Sequence, residues 1–294
     1  MQINYLAGSD AKQSISDKQG EAMIIDTHLH VWSSDYQKYP MDDGRTVDLD
    51  GSVEFLNSKM ADAGVDRAVI VQPIHYLFDN SYVSDTLKRF PGKFAAIGVV
   101  NQFEPGAAEK LEVLVKQHRF SGLRIHLSRP DHPSMWAGPD QDVIWEKAAE
   151  LGVGFISHGP SKLYPDIEQI IARHPNVPIA LDHNGGVPRI EESPYPGLQP
   201  VMDLAKYPNV YVKLIPHKEQ EPFPYRDTHD CFKRIYDLFG PQRLMWGTNF
   251  PGVERETGYA PCVEMFRDHI DWLSEVDKEW IFGKTALQLY NFGD

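Results

Sequence analysis

From residue 23 onward, short apolar or β-branched runs alternate with longer amphipathic stretches. The runs cover residues 23–30, 66–72, 94–101, 121–127, 153–158, 177–183, 209–214 and 244–249. Several are nearly continuous in apolar character, the pattern of parallel strands covered on both faces. Helical stretches fill the gaps. Residues 52–63 open on Ser52, a capping residue, and stop before Gly64. Residues 142–151 are followed by Gly152, residues 165–173 begin with Pro165 and stop before Pro175, and residues 228–239 end at Gly240. These are the ordinary start and stop signals of helices. Similar stretches follow the second, third, sixth and eighth runs, and residues 276–290 form a last helix. Strand starts recur at roughly 25–40 residue intervals, the cadence of repeated βα units.

The pattern predicts an α/β chain folded as a (β/α)8 TIM barrel in a single domain over residues 23–294, after a polar tail at 1–22. An open doubly wound sheet is the rival. It would normally carry a glycine-rich phosphate turn after its first strand. Here that strand ends Asp26-Thr27-His28-Leu29-His30, with no glycine.

Composition narrows the partners. The 294 residues are 41% hydrophobic, enough for a full core, and the net charge is −13. An acidic surface argues against nucleic acid or an anionic membrane as partner. Two cysteines, Cys231 and Cys262, exclude a disulfide scaffold by count and disfavour thiolate-held zinc. No apolar run reaches membrane-spanning length, and the tail lacks an apolar signal-peptide core, so a cytoplasmic location is the default expectation. Met23 is an alternative start.

The chemistry lies where barrel enzymes keep it, at the C-terminal ends of the strands. Strand one gives His28 and His30, strand two Gln72 with His75 in its loop, and strand four Arg124 and His126. Strand five gives His158, strand six Asp182 and His183, strand seven Lys213, and strand eight Thr248 and Asn249. Strict alternation puts Asp26, His28 and His30 on one face and Arg124 with His126 on one face. A His-x-His pair on one strand can chelate a divalent ion, with His158 arriving from across the barrel. His126 reads equally as a satisfied interior histidine. Arg124 needs an anion, fixed or brought by substrate. Lys213 reads equally as a substrate contact or as a structural ion pair with Asp26 or Asp182. His118, His132, His174, His229 and His269 fall on helices or loops and are taken as surface residues. Loop aromatics, among them Trp32 and Trp136, serve either as pocket walls or as loop anchors.

Taken together, Ile25-Asp26-Thr27-His28-Leu29-His30, Ile156-Ser157-His158, Leu181-Asp182-His183-Asn184-Gly185 and Met245-Trp246-Gly247-Thr248-Asn249-Phe250-Pro251 resemble the amidohydrolase superfamily. The nearest branch is amidohydrolase-2, with its 2-pyrone-4,6-dicarboxylate lactonases and sugar lactonases. Gly122-Leu123-Arg124 and the segment 209–214 also fit that branch. The resemblance runs from Met23 to about Phe292.

It implies hydrolysis at a carbonyl carbon in the barrel mouth. The expected substrate is a lactone, or an amide, of a small compound bearing a carboxylate. It implies one divalent ion, zinc foremost, on His28, His30 and His158, with a metal-free mechanism as the alternative. It implies catalytic roles for His183, His158, Arg124 and the strand-eight residue. Substrate contacts would come from Arg124, Lys213, His126, Gln72 and His75. At strand eight the family's Asp is replaced by Asn249, which cannot take a proton from water near neutral pH. His75, His217, Asp182 and Glu254 are then the other candidates for proton carrier. Two other functions fit the same frame: a non-oxidative decarboxylase of an aromatic or unsaturated acid, and a ligand-binding barrel without catalysis. Homo-oligomerisation is left open.

Overall fold

The computed structural model describes residues 22–129, 133–188, 194–217 and 221–293. The tail at 1–21 and His132 lie outside them.

Eight strands follow one another: β1 (Ile25–Leu29), β2 (Arg67–Val71), β3 (Phe94–Ile97), β4 (Gly122–His126), β5 (Gly154–His158), β6 (Ile179–Leu181), β7 (Val210–Leu214) and β8 (Leu244–Trp246). Every ladder is parallel, in the order β1-β2-β3 and β4-β5-β6-β7-β8. Two seams join these arcs. Gly98 pairs with Leu123, and the Arg124 amide donates to the Gly98 carbonyl at 2.8 Å. Leu29 pairs with Phe250, the His30 amide donates to Phe250 O at 2.8 Å, and the Asn249 amide donates to His28 O at 2.8 Å. The sheet is thus closed, and the chain is a (β/α)8 barrel.

The fifth and seventh strands end where predicted, at His158 and Leu214, while the others stop short of the predicted C-terminal end. The third stops at Ile97, not residue 101, the sixth at Leu181, and the eighth at Trp246. The extra residues are the first of each βα loop, where the chain leaves the ladder to make the rim.

Helix signals behave as their chemistry dictates. Ser52 accepts from the Phe55 amide at 3.2 Å and caps the helix Val53–Ala63, which Gly64 ends in a left-handed turn. Gly152 ends Asp142–Leu151 the same way. The predicted last helix is one run of three pieces: Glu275–Glu279, a π turn at Trp280–Lys284, and Thr285–Leu289.

Alternation sorts side chains into two cores. Outward positions such as Ala68, Ile70, Leu123, Ile125, Val212 and Trp246 pack on the helices. Inward positions Ile25, Val69, Val71, Ile97, Ile156 and Met245 form the floor, closed by Tyr290 and Phe292 from the C-terminal segment. Above that floor the inward positions turn polar, which makes a site of the upper barrel. One expectation fails here. Ile25 belongs to the inner cluster and Leu29 to the outer, although strict alternation would put them on one face. The β1–β2 register slips between Asp26 and Leu29, and the bulge changes the phase. Asp26 therefore does not simply join the two histidines on one face.

Candidate active site

Five imidazoles run edge to face across the upper barrel. Ring centroids lie 5.1 Å apart for His30–His28, 4.7 Å for His28–His183, 5.4 Å for His183–His158 and 5.5 Å for His158–His126. They come from β1 and the residue that follows it, β5, β4 and the turn after β6, so only the closed sheet assembles them. His183 sits at φ 51 and Asn184 at φ 58. Asn184 holds that turn, donating to Ile215 O at 3.2 Å and accepting from the Ile215 amide at 2.9 Å. A cavity of about 420 Å³ opens over His126, His158, Asp182, His183 and Asn249. His28 and His30 lie outside this lining, behind His183.

Asp182 is the hub of a buried charge cluster. Its Oδ2 accepts from Arg124 Nε at 3.1 Å and pairs with Arg124 Nη2 at 3.1 Å. Its Oδ1 stands 3.0 Å from His28 Nδ1 and 3.4 Å from Lys213 Nζ. Burial alone would raise this carboxyl, but His28, Lys213 and Arg124 together hold it well below the usual carboxylate range. Burial holds His28 and His183 well below the usual imidazole value, and with Arg124 nearby it brings His158 to about 4 and His30 to about 3. His126 falls to about 2 for the same reasons. Every ring in the row is therefore neutral at pH 7, able to accept a proton or donate one hydrogen bond.

The fixed anion required by Arg124 is Asp182, and the same carboxylate answers Lys213, which also stands 5.7 Å above the Tyr290 ring. Lys213 is not among the lining residues. Gln72 is buried and donates to Asp79 O at 2.7 Å, and His75 packs against Trp32 at 5.6 Å between centroids. Neither lines the cavity. Glu254 accepts from the Tyr259 amide at 2.9 Å and pairs with Lys59 at 2.6 Å, away from the lining. His217 does line it, with Nδ1 3.1 Å from Ile215 O. The supposed surface histidines are half-buried instead. His118 bonds Ser84 at 2.7 Å, His174 meets Asp142 at 2.7 Å, His229 bonds Pro224 O at 2.9 Å and His269 packs on Phe223. Each caps or braces a helix, a partner that helical position alone does not reveal.

Sequence reasoning missed Arg129 and Glu256 in the wall. Arg129 lies just past the end of β4, its one signal, whereas Glu256 follows the 3-10 turn Gly252–Arg255 well beyond β8 and carries no local signal. It also missed the work of Asp26. That buried carboxylate accepts from the His28 amide at 3.0 Å, the Thr248 amide at 3.1 Å and Thr248 Oγ1 at 2.6 Å. Burial raises it to about 6 despite those bonds. It ties β1 to the end of β8 directly below the rim.

The imidazole tautomers bear on metal binding. His30 Nδ1 lies 2.8 Å from Val71 O, which only accepts, so Nδ1 carries the proton and Nε2 the lone pair. His28 Nδ1 stands 3.0 Å from the Asp182 carboxylate, which favours the same tautomer, although neither buried ring nitrogen makes a hydrogen bond of regular geometry among the described residues. Metal-bound imidazoles are oriented by just such outer partners. The chemistry of His28 and His30 thus fits a divalent ion. As placed, no group of three His, Cys, Asp or Glu among the described residues could hold a metal ion. The fit is of two prepared imidazoles, with no carboxylate at position 249.

The family model for amidohydrolases matches residues 25–292. Among curated proteins, the chain is 26% identical to the L-fucono-1,5-lactonase of Burkholderia ambifaria over 85% of each chain. It is 25% identical to the 4-sulfomuconolactone hydrolase of Hydrogenophaga intermedia, over 83% of this chain and 78% of that one. Among solved structures, a zinc-bound amidohydrolase from Burkholderia multivorans superposes with TM-score 0.76 at 20% identity, covering 91% of this chain and 98% of that one.

Proposed function

The chain belongs to the amidohydrolase family, and from that premise we propose that it hydrolyses the ring ester of a small carboxylated lactone. The observation that carries the reading is that three neutral imidazoles of the row, His126, His158 and His183, line one cavity with Arg129 in its wall. The lactone names of two relatives that match along most of the chain support it.

The substrate's carboxylate meets the exposed guanidinium of Arg129 at the rim, for which no ion pair is found among the described residues. Asn249 and His126 donate to the carbonyl oxygen as it gains charge. His183, neutral by burial, accepts the proton of the attacking water and returns it to the ring oxygen as the C–O bond breaks. Asp182 is the charge nearest this imidazolium in effect, and it steadies the transient positive ring. Arg124 and Lys213 keep Asp182 ionised and fixed, so their contribution is to position it rather than to touch the substrate. A divalent ion, zinc foremost, would be held by His28 and His30, with His158 as the third donor that the family resemblance implies. Such an ion would make water more acidic and so ease the demand on a base.

A panel of five- and six-membered lactones, with and without a carboxylate, tests this in a pH-stat. Acid release from the carboxylated members is expected, increased by Zn²⁺ or Mn²⁺. No turnover of any member, with or without either metal, overturns the reading.

A further inference from the structure

Beside the histidine cavity lies a second chamber of about 170 Å³. Its walls are Phe78, Val99, Val100, Phe103 and Trp136, with Asn101, Gln102 and Arg124 among them, and it shares His126 and Arg129 with the main cavity. The chamber is therefore a side arm of the active site. An apolar hollow of roughly 150 Å³ accommodates one benzene-sized ring. Phe103 and Trp136 stand 4.6 Å apart between centroids, and Arg129 lies 6.0 Å from the Phe78 ring at the shared rim. Polar residues interrupt the apolar lining, and three of them carry a buried atom without a partner among the described residues, His126 Nε2 at the shared wall being one. The Trp136 indole N–H and the Gln102 side-chain carbonyl have no hydrogen-bond partner among the described residues, although both residues are more than nine-tenths buried. Such orphans are rare in native proteins and call for a partner. The indole can only donate and the Gln102 oxygen can only accept. A hydroxyl does both.

We propose that this chamber takes a hydroxylated, ring-sized apolar arm of the substrate. Resting on the lactonase reading, the preferred substrates are carboxylated lactones that carry a hydroxyaryl arm, not compact polyhydroxylated sugar lactones. Sugar hydroxyls set against Phe78, Val99, Val100 and Phe103 would lose water without gaining partners. A ring body loses none there, and its one hydroxyl answers the Trp136 indole N–H and the Gln102 oxygen. The carboxylate then stays at Arg129, where the two cavities meet, and the lactone carbonyl extends toward His183.

The test is calorimetric titration of the whole protein with 4-hydroxyphenylacetate, phenylacetate and acetate, which needs no turnover. The hydroxylated ring acid is expected to bind roughly tenfold tighter than phenylacetate, the order of one net hydrogen bond. Acetate should bind weakest. Trp136→Phe should erase the advantage of the hydroxyl. Val100→Phe, which fills the chamber, should weaken both ring acids and leave acetate unchanged. If Val100→Phe does not fold, Phe103→Ala at its half-exposed site reads the same ring contact by a several-fold loss. Equal binding of the three acids, or ring-acid binding that ignores the filled chamber, overturns the proposal. Ring-acid binding with no lactone turnover would instead remove the lactonase reading and leave the chamber's ligand class standing.

Discussion

At the level of single residues, the site depends on one carboxylate. Asp182 answers Arg124, Lys213 and His28 at 3.0–3.4 Å, all of them buried. Removing one member of a buried ion cluster leaves uncompensated charge and costs about 3–5 kcal/mol. Asp182→Asn is therefore expected to lower stability by that order in urea denaturation and to abolish turnover. An equally stable variant would show that the cluster is not the anchor described. Asn249 gives the second residue-scale prediction. Asn249→Asp restores an anionic oxygen donor at the rim, so zinc affinity should rise at least tenfold in competition with a chelating dye. Unchanged affinity would mean that position 249 does not reach the ion. The histidines were legible in the sequence because their strand-end positions repeat. Their neutrality was not, since it arises from burial and from Arg124, and neither is encoded in local spacing. The charge network was half legible: Asp182 was already a possible partner for Lys213, while Arg124 called only for an unspecified anion.

At the level of elements, the loops after β5 and β6 must touch for His158 and His183 to meet. Gly186, at φ 66, makes that contact possible. A Cβ there would sit 1.9 Å from the Gly159 carbonyl oxygen. At Gly64, φ 73, the same atom would meet nothing within 4 Å. Gly64→Ala should cost only the left-handed penalty, about 1–2 kcal/mol, and spare activity. Gly186→Ala must push the two loops apart and should lower kcat/KM by at least tenfold at similar or greater cost in stability. Equal kinetics in the two variants would contradict the contact. Strand existence and order were readable from the apolar runs, because burial on both faces leaves a continuous signature. Strand ends were not, since the rim residues keep β-like composition after leaving the ladder. The bulge in β1 was also hidden. It lies where β1 closes onto β8 through Asp26 and Thr248, residues 222 apart in the chain.

For the whole molecule, the imidazole row makes stability pH-dependent. His30, His158 and His126 are depressed to about 3, 4 and 2, against about 6.5 in an unfolded chain. Between those values the unfolded state binds more protons, so stability is lost as pH falls below about 6.5. Asp26 acts in the opposite sense. Raised from 3.8 to about 6, it binds its proton more readily in the fold and favours the fold on acidification within that window. One carboxyl opposes several imidazoles, so the imidazoles prevail. The denaturation midpoint should drop steadily from pH 7 to pH 4, and the His126→Asn variant should show a shallower slope. A midpoint independent of pH over that range would contradict a buried neutral row. The barrel as a whole was legible from eight evenly spaced strands. The interior layering, aliphatic floor below and charges above, became visible only with the inward positions of all strands assigned.

In the reaction proposed, water attacks a lactone carbonyl within reach of His183. Turnover of a carboxylated lactone in ¹⁸O-water, followed by mass spectrometry, addresses it directly. One ¹⁸O atom is expected in the newly formed carboxylate, with loss of turnover by a factor of about 10²–10⁴ in His183→Asn. Release of CO2 from an acid substrate with no ¹⁸O gained by the product, or full activity without the imidazole, would contradict it.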